Sequence, residues 1–335
     1  MKRRLVYGIL GAVFIVAVLL VSQACARRQP VSKIDRVRLQ LDWKVGSEHA
    51  FVYLGQAKGF FKEQGIELEI IPGKGSSDSV NMVAAEKVEF AFASGEAAIQ
   101  GRCANPPRQV KVLAVFFPTT PTSIYSLASK GIRQPKDLYG KRVGVMKGSS
   151  AYKHYQAFIK KLGLDASRIK EIPSPGSIQE IIAPNAQLDA MVHFSYQHPL
   201  QLRLQGYKVN EIMLKDYGVQ VYGFGLITSD SVLEKNKELA RRFTQAILKS
   251  MQYTLDHPDE ALKVFLERFP EQEPKYSEAK LNWVIQFIKS GIPQGKPLGY
   301  QDIQGWEATM NYLYEQKLVD RRIDVREAFT TEFLR

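Results

Sequence analysis

The chain has 335 residues, 45% of them hydrophobic, and carries 46 Lys and Arg against 34 Asp and Glu, a formal net charge of +12. That length buries a full core and suggests two domains, and with only 2 cysteines the chain is not a small disulfide-stapled scaffold. The basic balance does not imply nucleic acid, because the Lys and Arg beyond the N-terminal end are scattered, with no glycine-rich or aromatic nucleic-acid module around them.

Lys2, Arg3 and Arg4 precede an uncharged run over residues 5–21 that ends at Ser22, Gln23, Ala24 and Cys25. This is the pattern of a bacterial export signal, with small Ala24 directly before a cysteine that would be acylated, although Ser22 stands where Leu is usual. A retained transmembrane helix is the alternative. Either reading places the bulk of the protein outside the cytoplasm, periplasmic or at the cell surface. If Cys25 carries lipid, Cys103 is the thiol left over and no intramolecular disulfide forms. Residues 25–34, with Arg27, Arg28 and Lys33, read as a polar tether beside anionic headgroups.

Over residues 36–43, Val37, Leu39, Leu41 and Trp43 alternate with polar positions, which predicts a first strand. A helix over 49–64, stopped by Gly65, and a strand over 67–71, closed by Pro72 and Gly73, complete a β-α-β unit. The alternation continues through a helix over 77–87, a strand over 89–93, a helix over 95–102 and a strand over 110–116. Pro118 and Pro121 then force extended backbone, which reads as a crossing between lobes. A second α/β set follows, with strands over 124–128, 142–146, 169–172, 188–193 and 209–214 and helices over 150–162 and 178–182. Glycine-spaced, aromatic residues 216–226 suit a return crossing, and from 231 onward the pattern is helical, with stops at Pro258, Pro270, Gly291 and Pro293. The expected class is α/β, with mostly parallel sheets and helices on both faces. The expected division is a signal peptide over 1–24, a tether over 25–34, lobe one over 35–120 and 219–335, and lobe two over 121–218.

Catalytic constellations are missing. The 5 histidines form no H-E-x-x-H and have no Cys partners at zinc spacing, so neither a metal nor a cofactor is expected. No nucleophile elbow, phosphate loop or dinucleotide fingerprint occurs. Gly148, Ser149 and Ser150, followed by Tyr152, lie between a strand end and a helix start, as do Gly75, Ser76 and Ser77. Backbone N–H groups there can hold an anionic or carbonyl oxygen, or the serines simply cap their helices. Two such loops at strand ends point to one shared cleft.

Aromatic residues gather at strand ends and crossings: Trp43, Phe92, Phe117, Phe194, Tyr196, Tyr217 and Tyr222. A planar ligand would stack between two of them, though each alone also suits core packing. Trp43, beside Asp42, is the strongest candidate. His49 would hydrogen-bond the same ligand or cap its helix, and Glu96, just after Ser94, would pair with a ligand amino group or be solvated.

The stretches L-Q-L-D-W at residues 39–43, then His49, and A-K-G-F-F-K-E-Q-G-I-E-L-E at 57–69 resemble the start of the NMT1/THI5-like solute-binding proteins of the thiamine pyrimidine-precursor type. V-E-F-A-F-A at 88–93, D-L-Y-G-K-R-V-G-V at 137–145 and D-Y-G-V at 216–219 continue the match over essentially the whole mature chain. D-W with His49 and D-Y-G-V are fairly specific, whereas the D-L-Y-G-K-R-V-G-V pattern recurs in binding proteins for sulfonates and nitrate. The resemblance implies a type II periplasmic-binding-protein fold whose two lobes close like a hinge, acting as a monomer that docks on an ABC permease with its ATPase. It implies a methylated aminopyrimidine or similar heterocycle, with riboflavin, sulfonates and nitrate as alternatives. On this resemblance Trp43 and His49 contact the ring, the loop over 148–150 binds polar substituents, and Tyr196 and Tyr222 line the pocket. The same family holds pyrimidine synthases that consume their own histidine with lysine-bound pyridoxal phosphate and a cysteine-rich iron motif. Residues 89–100 offer neither lysine nor histidine and residues 217–226 no cysteine cluster, so an enzyme is not expected.

Overall fold

The computed structural model describes residues 34–334. The expected signal peptide and the tether with Cys25 therefore lie outside the described residues, apart from Ile34. Among the described residues no helix is long and apolar enough to cross a membrane.

Two five-stranded sheets carry the chain. The first contains β1 (Asp35–Gln40), β2 (Ile66–Ile71), β3 (Phe90–Ser94), β4 (Val110–Val115) and β10 (Phe224–Ser229), in the order β2-β1-β3-β10-β4. The second contains β5 (Thr122–Leu127), β6 (Arg142–Val145), β7 (Lys170–Pro173), β8 (Ala190–Phe194) and β9 (Val209–Met213), in the order β7-β6-β8-β5-β9. This is the two-lobed α/β fold, and its sheets are mixed. β1 pairs parallel with β3, and β6 with β7 and β8, but β10 runs antiparallel to β3 and β4 and β5 antiparallel to β8 and β9.

The two reversed strands are the ones that follow the two crossings. Strands joined by a helical return all point the same way. A chain that leaves the carboxyl edge of one sheet and enters the other directly arrives at that sheet's carboxyl edge and must run away from it. β10 is the element that sequence pattern alone misses, because the glycine in F-G-L-I-T-S reads as part of a flexible crossing. Gly225 is needed there: a Cβ would fall 2.7 Å from the Ala114 carbonyl oxygen, beside a bulge between Leu226 and Ile227.

The repeating F-A-F-A of β3 builds the first lobe. Phe90 and Phe92 project into a core with Phe51, Phe116 and Phe243, while Ala91 and Ala93 join the opposite core with Ala97, Trp306 and Met310. Large residues thus meet helices Ala50–Ala57 and Lys237–Asp256, and small ones admit helices Gly95–Cys103 and Ile303–Glu315 close to the sheet. Phe243 stacks on Phe90 at 4.1 Å between ring centroids and 16° between planes. Phe243→Ala is expected to cost about 3–5 kcal/mol, read as a lower urea midpoint of lobe one. An unchanged midpoint would show that the stack does not hold the long helix to the sheet.

Candidate functional site

After Gln40 the chain turns out of the first sheet at its carboxyl edge. Trp43 sits there with 48% of its surface exposed, its ring 3.8 Å from the place where Gly75 would carry a Cβ. The indole therefore lies along the loop that opens helix Ser76–Ala84 and presents a flat apolar face. Asp42, next to it, accepts a hydrogen bond from His49, Nε2 to Oδ1 at 2.8 Å, and the imidazole is wholly buried. His49 Nδ1 has no hydrogen-bond partner, so the tautomer protonated at Nε2 fits the carboxylate.

Behind His49 stands a buried ion pair. Lys280, on helix Pro274–Gly291, lies 2.6 Å from Glu48, the two side chains being 10% and 11% exposed. Burial pushes the Glu48 carboxyl up, but Lys280 and then His49 outweigh it and hold it below its usual range. Tyr196 brings the second lobe to this cluster. Its ring packs 5.4 Å from Trp283, and burial, with Glu48 and Asp42 adding to it, raises its hydroxyl well above the ordinary value. The phenol stays neutral beside two carboxylates, donor-ready where an anion would be repelled.

A second junction joins Glu96, on the helix after β3, to His154, on helix Ser150–Lys161 of the other lobe, Nε2 to Oε2 at 2.8 Å. Both side chains are almost fully buried. Burial alone would raise the Glu96 carboxyl; His154, Ser150 and Lys153 overcome it and keep it low. His154 Nδ1 meets Thr122 Oγ1 at 2.8 Å and Thr120 Oγ1 at 3.0 Å, both on the first crossing. Of the serines expected at helix starts, Ser149 caps, its Oγ accepting from Tyr152 N–H, whereas helix Ser76–Ala84 has Gly75 at its N-cap and no side-chain cap, Ser76 Oγ accepting instead from Ser94 N–H; Ser94, not expected as a cap, accepts from Ala97 N–H.

The family model described as NMT1/THI5 like matches residues 46–261. The chain belongs to this family. It is 26% identical over 310 residues to the riboflavin-binding protein RibY of Chloroflexus aurantiacus, covering 90% of this chain and 86% of that protein. It is 23% identical over 305 residues to the formylaminopyrimidine-binding protein of Halalkalibacterium halodurans, covering 89% and 90%. Pyrimidine phosphate synthases also stand among the relatives. In fold it is similar to the alkanesulfonate-binding protein SsuA of Xanthomonas axonopodis pv. citri bound to MOPS, with a TM-score of 0.65 at 16% identity, covering 90% of this chain and 100% of that one.

Within this family member the expected site residues separate. Asp42, Trp43 and His49 gather at one strand end with Tyr196, whose ring stacks 5.8 Å from Phe194. Ser77, Gly148 and the half-buried Ser149 and Ser150 lie on the loops and first turns at the carboxyl edges, and Tyr152 donates to Glu171 at 3.0 Å. Three aromatic residues are spent on packing, and a fourth, Tyr222, both packs and lines one of the hollows beside the crossings. Phe92 is fully buried between Phe51 and Phe224, and Phe117 between Phe224 and Phe287. Tyr217 packs its edge on Phe158, and Tyr222 is held by Asp302 against Gly305, where any Cβ would collide with its ring. Position at a strand end does not reveal which way a ring points, which is why sequence groups them with Trp43. Two hollows of about 340 Å³ and 350 Å³ border the crossings, sharing Pro118, Gln220 and Gly291, and Trp43 lines neither. Among the described residues no group of three or more His, Cys, Asp or Glu is placed to hold a metal ion.

Sequence reasoning passes over Glu48, Lys280, His154 and a histidine pair in lobe two. His193 and His198 stack with centroids 3.9 Å apart, and burial, then the neighbouring imidazole, pushes His193 from 6.5 down to about 3. The unfolded chain then binds a proton in that window which the native chain refuses. Stability is full above pH 6.5 and declines as pH falls toward about 3. Melting temperature is expected to drop over this range and to drop less in His193→Gln; identical slopes would remove His193 from the cause.

Proposed function

We propose that this protein is the extracytoplasmic solute-binding component of an ABC importer, and that it closes two lobes on a thiamine-precursor aminopyrimidine or a similar heterocyclic vitamin. One observation carries the reading: a half-exposed indole, Trp43, lies beside a carboxylate, Asp42, that a buried imidazole holds in place. An indole face takes a planar ring by stacking, and a fixed carboxylate accepts the N–H groups along that ring's edge. Asp42 and Trp43 thus divide the work into orientation and contact area. His49 keeps Asp42 aimed, and Tyr196 approaches from the other lobe.

The same charges argue against sulfonate or nitrate as the ligand. Asp42 and Glu48 bring negative charge to the strand end, and Lys280, the cation that faces Glu48, is already engaged by it. Riboflavin is the second reading. The relative named for riboflavin favours it, and the isoalloxazine edge also offers an N–H to a carboxylate. The binding-protein names of these relatives support a carrier over a synthase, as does β3 with its following turn, F-A-F-A-S-G-E, which holds no lysine. In this reading the chain is a monomer, tethered to the membrane through a lipid on Cys25, with the permease and its ATPase as partners.

Calorimetric titration with 4-amino-5-hydroxymethyl-2-methylpyrimidine, riboflavin, taurine and nitrate tests the assignment. One of the two heterocycles is expected to bind, with Trp43→Ala and Asp42→Asn each weakening it at least tenfold, about 1.4 kcal/mol. Binding of taurine or nitrate alone, or a heterocycle indifferent to both substitutions, would overturn it.

A further inference from the structure

The Glu96–His154 pair joins two bodies. Glu96 belongs to the helix that follows β3 in the first sheet and His154 to the helix that follows β6 in the second, and their side chains are 6% and 5% exposed. The groups around them come from every element packed on the junction. Ser150 and Lys153 share the helix of His154, Thr120 and Thr122 reach its Nδ1 from the first crossing, and the Tyr312 ring lies 5.9 Å away on helix Ile303–Glu315. The Tyr312 hydroxyl is buried there without a hydrogen-bond partner among the described residues.

A buried carboxylate–imidazole hydrogen bond inside one rigid core has no way to rehydrate short of unfolding, and removing one partner leaves the other buried and unpaired. A pair split between two lobes has a second outlet: the lobes part and each group returns to water. We propose that Glu96–His154 is a latch between the lobes, which holds the ligand-free chain toward its closed arrangement and thereby raises its affinity for solute. The latch lies at the crossing, where the short lever lets one hydrogen-bonded pair set the position of the distant lips. Closing is then less costly for a ligand, because part of the population is already closed. An exposed link between the lobes yields more readily. Lys160 Nζ donates to the Glu315 carbonyl at 2.8 Å in an exposed position, which water replaces at little cost.

The test needs no ligand, so it fails independently of the functional reading above. In the full-length chain with Cys25→Ser and Cys103→Ser, spin labels at Lys74→Cys and Lys147→Cys, both exposed on strand-end loops of opposite lobes, report the width of the cleft by electron–electron double resonance. His154→Ala is expected to lengthen and broaden the distance distribution of the ligand-free protein by several ångström. Glu96→Gln, which keeps shape and an acceptor but no charge, is expected to shift it the same way by less, and it decides the question should His154→Ala fail to fold. A distribution unchanged in Glu96→Gln and in any folded His154→Ala protein overturns the latch.

Discussion

Everything in this molecule follows from the chain crossing twice between its sheets at their carboxyl edges. Because each crossing enters the next sheet at that edge, β5 and β10 run against their neighbours, and the loops after β1, β3, β6 and β8 are brought to one side of each lobe. A strand's carboxyl end is where free N–H groups, helix starts and short loops collect, which is why open α/β sheets bind ligands there. Had the second sheet been entered by a helical return, all its strands would run one way and the two carboxyl edges would have no reason to be joined by the same segments.

The chemistry at that edge is a sequence of charges graded by burial. Lys280 and Glu48 are nearly enclosed, His49 is wholly buried, Asp42 is partly open, and Trp43 is half exposed. His49 orients Asp42. A buried pair such as Lys280–Glu48 adds little net stability over apolar residues of the same size. Tyr196, which follows β8 of the other sheet, packs on Trp283 beside this set.

Much of the fold is legible in the sequence because its signals are local. The alternation of Val37, Leu39 and Leu41 and the F-A-F-A of β3 mark strand faces without help from elsewhere, and Pro258, expected as a helix stop, stands where one helix has ended at Asp256 and the next begins. β10 was hidden because its glycine answers to the Ala114 carbonyl of another strand, a demand no local pattern records. The site divides in the same way. Trp43, Asp42 and His49 are close in sequence and could be grouped by spacing, whereas Lys280 and His154 reach their partners across the fold. Phe92 shares their strand-end position but is claimed by the core, because strand-end location fixes where a residue stands and leaves the direction of its ring to packing.

An aromatic, N–H-bearing ring is expected at the edge beside Trp43. Native mass spectrometry of the protein isolated with its resident solute, followed by acid release and absorbance of the released compound, addresses this without choosing a ligand beforehand. The account predicts a single bound molecule that absorbs as a nitrogen heterocycle. A released sulfonate, or an inorganic anion with no aromatic absorbance, would contradict it.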